Sequence, residues 1–489
     1  MKQATIIIKD EVNIKIEGLD LDVRKKLVNT FKYENPYARY LPSVRLGRWD
    51  GKVAYFQMGG STYVNLLPEI VPILEQYDYD IELDDQREYS TVFEFDQVNE
   101  NTFSHKTWPV GHPAAGQPIV IRDYQMKIIN DFLSNPQCIQ EVATGAGKTI
   151  MTAALSNSVE KYGRSIVIVP NKDLVRQTEK DYKNLELDVG VYFGDRKEWG
   201  KTHTICTWQS LNVMLKNTKS GAGDVTIHDF IEGVVCVIVD EVHMAKADAL
   251  KTLLTGVMSQ IPIRWGLTGT VPKEKFESQS LLVSLGPVIS KLAASELQDR
   301  GVLANCHVNI VQLVDHVEHS NYQSELKYLL EEPGRLDAMA GLILEVNETG
   351  NTLVLVDRIA AGHELVSRLG DRAVFVSGAT KGTTRQEHYD EVAESTDKII
   401  VATYGVAAVG INIPRIFNLV MVESGKSFTR VIQSIGRGIR KAEDKDHVQI
   451  WDITSTCKFA KRHLTKRKAF YKEAKYDFTQ EKLDWMKLA

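Results

Sequence analysis

From about residue 119 onward, short apolar runs alternate with stretches whose apolar residues recur every three or four positions. The runs CIQEVAT, SIVIVP, HTICT, VVCVIVD and IRWGLTG have the length and hydrophobicity of buried strands. Between them, TIMTAALSNSVEKYG and KDLVRQTEKDYKN carry helical spacing. That order predicts βαβ units and a parallel sheet covered by helices on both faces. The texture resumes with TLVLVD, RAVFVSG, KIIVAT, LVMVES and VQIWDI, so a second sheet of similar size is expected from near residue 300. The class is α/β.

The first hundred-odd residues read differently. TIIIKDEVNIKI alternates like a strand, LDVRKKLVNTF has helical spacing, and KVAYFQ and TYVNLL suggest a hairpin about Gly59 and Gly60. A small α+β domain is expected there. The Pro- and Gly-rich stretch WPVGHPAAGQP at 108–118 reads as a linker. The last thirty-odd residues, rich in Lys and aromatics, read as helical. The expected domains are therefore 1–110, 111–299, 300–455 and a basic helical extension at 456–489.

Composition adds exclusions. With 43% hydrophobic and 25% charged residues, each domain can bury a core without staples. The five cysteines are scattered without a C-x-x-C, which argues against a disulfide framework, a zinc site or an iron–sulfur site. The amino terminus does not resemble a signal peptide, and the longest apolar runs are too short to span a bilayer. A cytoplasmic protein with no membrane partner is expected.

The net charge of −5 does not point to nucleic acid, but its distribution does. Arg24 to Lys52 holds eight Lys/Arg against Glu34 and Asp50, and Lys458 to Lys475 holds eight against Glu473. Val53 to His105 holds Arg87 against eleven acids. Two basic islands in an acidic chain suggest localised anion contacts. In the first, Arg39, Arg45 and Arg48 interleave with Tyr33, Tyr37, Tyr40 and Trp49, a mixture that could grip a nucleic acid or simply be a core with solvated arginines.

GAGKT at 145–149 follows one predicted strand and opens a helix, the context a phosphate-binding loop requires. Gly145 and Gly147 allow backbone N–H groups near phosphate, Lys148 supplies a cation and Thr149 a Mg²⁺ ligand. The strict pattern G-x4-G-K-[ST] fails at position 142, which is Val. DEVH at 240–243 ends another apolar run, at the sheet edge where open parallel sheets bind ligands. Asp240 can support Mg²⁺ and Glu241 can orient or deprotonate water; an ordinary helix N-cap is the bland alternative. In QSIGRGIR, Arg437 and Arg440 stand three apart and suit a triphosphate. Upstream, IRDYQMKII places Arg122 and Gln125 at the entrance of the first sheet, where a Gln can pair with adenine.

Taken in order, these segments resemble the motifs of superfamily 2 helicases over about residues 119–455. IRDYQ resembles motif Q, VATGAGKT motif I, VPNKDLVRQ Ia, TWQS Ib, DEVH II and LTGT III. TLVLVDRI resembles motif IV, VATYGVAAVGINIP V and QSIGRGIR VI. DEVH, LTGT and QSIGR differ from the RNA-directed DEAD-box pattern and are similar to branch-remodelling and repair helicases. The resemblance implies two tandem RecA-like domains, ATP and Mg²⁺, and unwinding or branch migration of DNA. Implied partners are branched, single-stranded or duplex DNA, with RNA in R-loops a further one; in the absence of DNA a monomer is expected.

Residue by residue, the resemblance gives Thr144, Gly145, Ala146, Gly147, Lys148 and Thr149 to the phosphate loop, with Arg122 and Gln125 at the base. Asp240 and Glu241 take the metal and water roles, Arg437 and Arg440 the γ-phosphate, and Gln433 a place near the nucleotide. His243, Thr268 and Thr270 would couple hydrolysis to strand grip, as would Gly410 and Asn412 in motif V. Thr207 and Thr403 join Arg39, Arg45, Arg48 and Trp49 as expected DNA contacts. An ATP-switched annealing or scaffold protein and an RNA helicase are the competing functions.

Overall fold

A computed structural model describes residues 2–87, 92–109, 114–222, 225–244, 247–380, 382–406, 415–425, 435–436 and 446–487. Its contacts divide the chain into two compact units, Met1–Val142 with Gly147–Lys291, and Ala143–Ala146 with Leu292–Ala489.

The first unit opens with strands β1 (Lys2–Ile8) and β2 (Asn13–Glu17), helix α1 (Leu21–Thr30), the short pair β3 (Lys32–Glu34) and β4 (Lys52–Ala54), then β5 (Ser61–Tyr63), α2 (Leu67–Gln76) and β6 (Tyr79–Asp85). TIIIKDEVNIKI is an antiparallel hairpin of β1 and β2, reversed where Asp10 Oδ1 accepts the N–H groups of Val12 and Asn13 at 2.8 and 2.7 Å. Alternate residues Ala4, Ile6, Ile8, Ile14 and Ile16 bury against Val23, Leu27 and Phe31 of the α1 segment and Ile70 and Leu74 of α2.

The hairpin expected at Gly59 and Gly60 does not form. β4 pairs with β3, whereas β5 pairs with β2, giving the sheet order β5-β2-β1-β6. Close backbone approach explains the difference: Ile16 N–H donates to the Gly60 carbonyl at 2.9 Å, and a Cβ on Gly60 would collide with the Ile16 carbonyl. Tyr55 and Phe56, in the second half of the expected strand KVAYFQ, lie beyond the end of β4 and are fully buried in the domain core.

Helix α3 (Asp123–Leu133) introduces the larger sheet of this unit. Its strands are β7 (Gln137–Val142), β8 (Arg164–Val169), β9 (Val189–Phe193), β10 (Arg196–Lys197), β11 (His203–Thr207), β12 (Val234–Val239), β13 (Ile263–Thr268) and β14 (Val288–Leu292). They lie in the order β10-β9-β11-β8-β12-β13-β7-β14, and every expected run is a strand. The β8–β11, β8–β12, β12–β13 and β13–β7 pairs are parallel. Between strands run α4 (Lys148–Val159), α5 (Lys172–Asn184), α6 (Trp208–Ser220) and α7 (Lys275–Leu285).

Helix α7 belongs to both parts of the unit. Its Val283 is buried in the core of the small domain, and its Ser280 Oγ lies 2.7 Å from Tyr55 OH. Asp10 accepts from Ser259 Oγ at 2.9 Å, and Asn13 donates to the Thr255 carbonyl at 2.9 Å. Shared apolar packing with satisfied polar groups docks the small domain on this sheet. The Pro/Gly stretch closes at its base through a Thr107–Pro118 bridge.

The second unit holds β15 (Asn305–Leu313), β16 (Thr352–Val356), β17 (Ala373–Val376), β18 (Ile399–Thr403), β19 (Asn418–Val422), β20 (His447–Ser455), helix α8 (Lys458–Glu473) and β21 (Asp477–Leu483). The sheet order is β17-β18-β16-β19-β20-β15-β21. Its core joins Val354, Val356, Val401, Val420 and Ile453 to helix residues Leu336, Met339, Ile343 and Leu365. The helix expected near the carboxyl terminus is present as α8. The structure adds β21, which pairs in parallel with β15 at the sheet edge. No helix among the described residues is long and apolar enough to cross a membrane.

Candidate nucleotide site and nucleic-acid surfaces

β7 ends at Val142, which is fully buried, so the position where the strict pattern asks for Gly is a core position. The turn is made later, by Gly145 and Gly147 with φ of 91° and 84°, and α4 then begins at Lys148. A Cβ at 147 would also sit 2.5 Å from Gln125 Nε2, so a larger residue there would have to displace the Gln125 amide. Gln125 is buried at the start of α3, and its Oε1 accepts the Arg122 N–H at 3.0 Å. The IRDYQ segment therefore abuts the phosphate loop. Arg122 itself is exposed and donates to Tyr124 OH at 3.0 Å.

The second part of the site is the end of β12. Asp240 N–H continues the ladder, donating to the Ile168 carbonyl at 2.9 Å. At Glu241 the backbone turns to φ +50°, a left-handed conformation that costs on the order of 1 kcal/mol for a residue with a side chain. Glu241 N–H donates to Asp240 Oδ1 at 2.9 Å, and Glu241 Oε1 lies 2.9 Å from Lys148 Nζ. Both side chains of this ion pair are about nine-tenths buried, at 9% and 10% exposure. Lys148 Nζ also lies 3.4 Å from the Val142 carbonyl.

The other carboxylate oxygen faces the loop after β13. Glu241 Oε2 is 3.4 Å from Gly269 N–H and 3.6 Å from His243 Nδ1. Thr268 Oγ1 donates to the Thr270 carbonyl at 2.6 Å, so its contact with His243 Nδ1, also 2.6 Å, needs the proton on Nδ1. Thr270 N–H closes the turn onto Thr268 Oγ1 at 3.2 Å. Asp240, Glu241, His243, Thr268 and Thr270, far apart in sequence, thus meet Lys148 at one sheet edge.

This arrangement offers three chemical resources. The start of α4 presents backbone N–H groups and a positive dipole end to an anion. Lys148 adds a movable cation. The Thr149 hydroxyl and the Asp240 carboxylate are hard oxygen donors of the kind Mg²⁺ takes alongside phosphate and water.

Other expected residues fall elsewhere. Gly410, Asn412, Gln433, Arg437 and Arg440 lie outside the described residues. Thr207 is buried, and its hydroxyl caps α6 by accepting Ser210 N–H at 3.3 Å. Thr403 ends β18 in the second unit.

The amino-terminal basic island runs from α1 to β4, and its three arginines interleaved with aromatics lie in the segment joining β3 to β4. Arg39, Arg45 and Arg48 are exposed, and none has an ion-pair partner among the described residues. Tyr37, Tyr40 and Leu46 are exposed beside them, with the Arg39 guanidinium over the Tyr40 ring at 4.8 Å. Trp49 is half-buried and donates its indole N–H to the Lys52 carbonyl at 2.9 Å, and Tyr33 packs on the domain core. The aromatics divide between fold and surface. Sequence reasoning missed Glu277 of α7, which accepts from Tyr37 OH at 2.8 Å and pushes that phenol up to about 12. No local signal links residues so far apart.

A phosphate loop, an acidic strand end and a Thr-bearing turn on one parallel sheet define a nucleotide-driven motor. Residues 118–273 match the family model of the type III restriction enzyme res subunit, and residues 334–442 that of the helicase conserved C-terminal domain. The chain belongs to the superfamily 2 helicases, a class of ATP-driven, nucleic-acid-binding enzymes.

It is similar to the ATP-dependent DNA helicase uvsW of Enterobacteria phage T4, 22% identical over 449 residues covering 88% of this chain and 86% of that one. It is also similar to the DNA 3'-5' helicase XPB of Mycobacterium tuberculosis, 23% identical over 370 residues covering 73% of this chain and 65% of that one. Among solved structures, the ATP-dependent Type ISP restriction-modification enzyme LlaBIII bound to DNA overlays 85% of this chain and 34% of that one. The TM-score is 0.55 at 14% identity, a likeness of fold.

Proposed function

We propose that the chain is an ATP-dependent DNA helicase that unwinds and branch-migrates forks, D-loops, R-loops and Holliday junctions in recombination, repair and replication restart. Strand annealing is a companion activity. The observation that carries the reading is the buried Lys148–Glu241 pair at 2.9 Å. It joins a phosphate-binding cation to a candidate base at the carboxyl edge of a parallel sheet. The choice of DNA rests on DEVH, LTGT and QSIGR and on the DNA helicase names of the two relatives above.

In this reading the nucleotide phosphates draw the Lys148 ammonium away from Glu241. The freed carboxylate then orients the attacking water and takes its proton. Thr149 and Asp240 would hold Mg²⁺, which would supply charge neutralisation for the phosphates. Gln125 and Arg122 face the base, and Arg437, Arg440 and Gln433 act on the γ-phosphate side. Loss of the γ-phosphate lets Glu241 re-pair with Lys148, and His243 and Thr268 relay that change to the loop after β13.

Gly410 and Asn412 sense nucleotide from the second motor domain, and Thr207 and Thr403 lie along the DNA strand. Residues 1–110 grip DNA through Arg39, Arg45, Arg48 and Trp49. Residues 111–299 and 300–455 are the two motor domains, and 456–489 a basic extension. The test is ATP hydrolysis with and without forked DNA or forked RNA. The reading expects DNA forks to stimulate most, and stronger stimulation by RNA would reverse the substrate assignment.

A further inference from the structure

Helix α8 runs for 16 residues, KFAKRHLTKRKAFYKE, and buries only Ala460, Leu464, Arg467 and Tyr471. Their spacing of four, three and four residues is that of one helical stripe. The second unit holds this stripe by chemistry as well as packing. Arg467, fully buried, donates to Asp452 Oδ2 at 2.8 Å and to the Gly425 carbonyl at 2.7 Å, and Tyr471 OH donates to the same Asp452 oxygen at 2.7 Å. β21 then ties the chain to β15. The helix is therefore fixed in one rotation about its own axis.

That rotation sorts the basic residues. Arg467 is spent in the core, and Lys468 lies against β21, donating to Gln480 at 2.9 Å. Lys458, Lys461, Arg462, Lys466 and Lys472 are all exposed. At about 100° per residue they fall within an arc of about 140°, opposite the buried stripe. None of the five has an ion-pair partner among the described residues. From Lys458 to Lys472 the stripe is about 21 Å long, in a chain whose net charge is −5.

We propose that this face of α8 is a second nucleic-acid surface, carried by the second unit, which tracks the phosphate backbone of DNA without reading its bases. The proposal rests on the helicase reading above. A stripe of this length runs past about six base pairs of duplex, enough phosphates for all five cations. Charge complementarity selects the partner, and the exposed face argues against a membrane. Apart from its cations it offers only Thr465, Ala469 and, at the last position of the helix, the carboxylate of Glu473, with no exposed large apolar side chain to enter a bilayer. Because the cations are exposed, long and unpaired, their phosphate contacts release counterions and depend on salt.

The test compares the wild type with the triple variant Lys461→Gln, Arg462→Gln, Lys466→Gln in the full chain, measuring duplex affinity between about 50 and 200 mM salt. Three lost phosphate contacts lower the slope of log affinity against log salt by about 2 to 3, so the salt-driven loss over that range shrinks about 40-fold. DNA-free ATP hydrolysis stays within twofold, which shows that the fold and nucleotide site are intact. The charge-retaining variant Lys461→Arg, Lys466→Arg restores the wild-type slope. An unchanged slope in the triple variant overturns the proposal and leaves the helicase reading standing. Loss of binding to phosphatidylserine vesicles at unchanged DNA slope assigns the stripe to a membrane and also overturns it. A wild type that binds no DNA at any salt overturns both readings.

Discussion

Glu241 Oε1 and Lys148 Nζ stand 2.9 Å apart, both side chains about nine-tenths buried. The contact requires the backbone at Glu241 to turn left-handed immediately after β12. Strain of this kind persists where surrounding structure over-determines it, and here it aims a carboxylate at the phosphate loop. A buried pair is costly to break from one side, since the remaining charge is then unpaired.

Replacing the carboxylate tests its proposed role as base. Glu241→Gln keeps the side-chain volume and a hydrogen-bond acceptor but cannot take a proton. We expect the rate of hydrolysis to fall about 10²- to 10⁴-fold with ATP affinity retained or raised. Single-turnover hydrolysis and nucleotide binding measured on the same preparation separate the two. A variant that loses ATP binding and hydrolysis in parallel would place Glu241 in binding alone.

Thr268→Val removes the hydroxyl that joins His243 to the turn at Thr270. The expected outcome is retained DNA-free hydrolysis with unwinding lowered about tenfold, an uncoupling of roughly 1.4 kcal/mol. The quantity to measure is base pairs opened per ATP hydrolysed. If that ratio stays at the wild-type value while both rates drop, the hydroxyl does not couple them.

Tyr37 and Glu277 link the amino-terminal basic segment to α7. Tyr37→Phe keeps the ring and removes the bond, so fork affinity should fall several-fold with DNA-free hydrolysis unchanged. Charge reversal at Arg45 and Arg48 should weaken branched-DNA binding further, again sparing that hydrolysis. Unchanged affinity of the double reversal at moderate salt would exclude this segment as a DNA contact.

Acid sensitivity has one clear contributor in the first unit. Glu179 of α5 accepts from Arg196 at 2.7 and 2.8 Å and from Lys183 at 2.6 Å, and these bonds hold its carboxyl down at about 2, against 4.5 for the free group. A depressed folded-state value contributes stability above the ordinary carboxylate range. That stability is lost as pH falls from about 4.5 towards 2. Glu179→Gln should cost about 1–2 kcal/mol near neutral pH, allowing for the part-exposed cations, and almost nothing near pH 2. Denaturant melts at the two pH values read this directly, and an equal cost at both would contradict it.

Both motor-type sheets were legible because their central strands are short, continuous apolar runs alternating with patterned helices, whereas polar edge strands such as β10 and β21 carry no such signal. Those signals lie within one element. The grouping of the candidate nucleotide-site residues was legible for a related reason. Lys148, Asp240 and Thr268 each sit at a strand end or the loop beyond it, so their sequence positions already placed them on one sheet edge. What depended on distant partners was not legible. Tyr37 meets Glu277, and Arg467 reaches Asp452, with no local periodicity to announce either bond. The segment around Gly60 misled for the opposite reason. Its alternation is real, but close approach to Ile16 sends the two flanking strands to different sheets.

The central claim is that Lys148 turns nucleotide binding at this sheet edge into work on DNA. The direct measurement is forked-DNA unwinding and DNA-stimulated ATP hydrolysis by the wild type and by Lys148→Ala, with folding checked by melting. The account predicts a wild type stimulated strongly by the fork and a variant with both activities reduced at least 10²-fold at near-native stability. Equal unwinding and hydrolysis by the two proteins would contradict it.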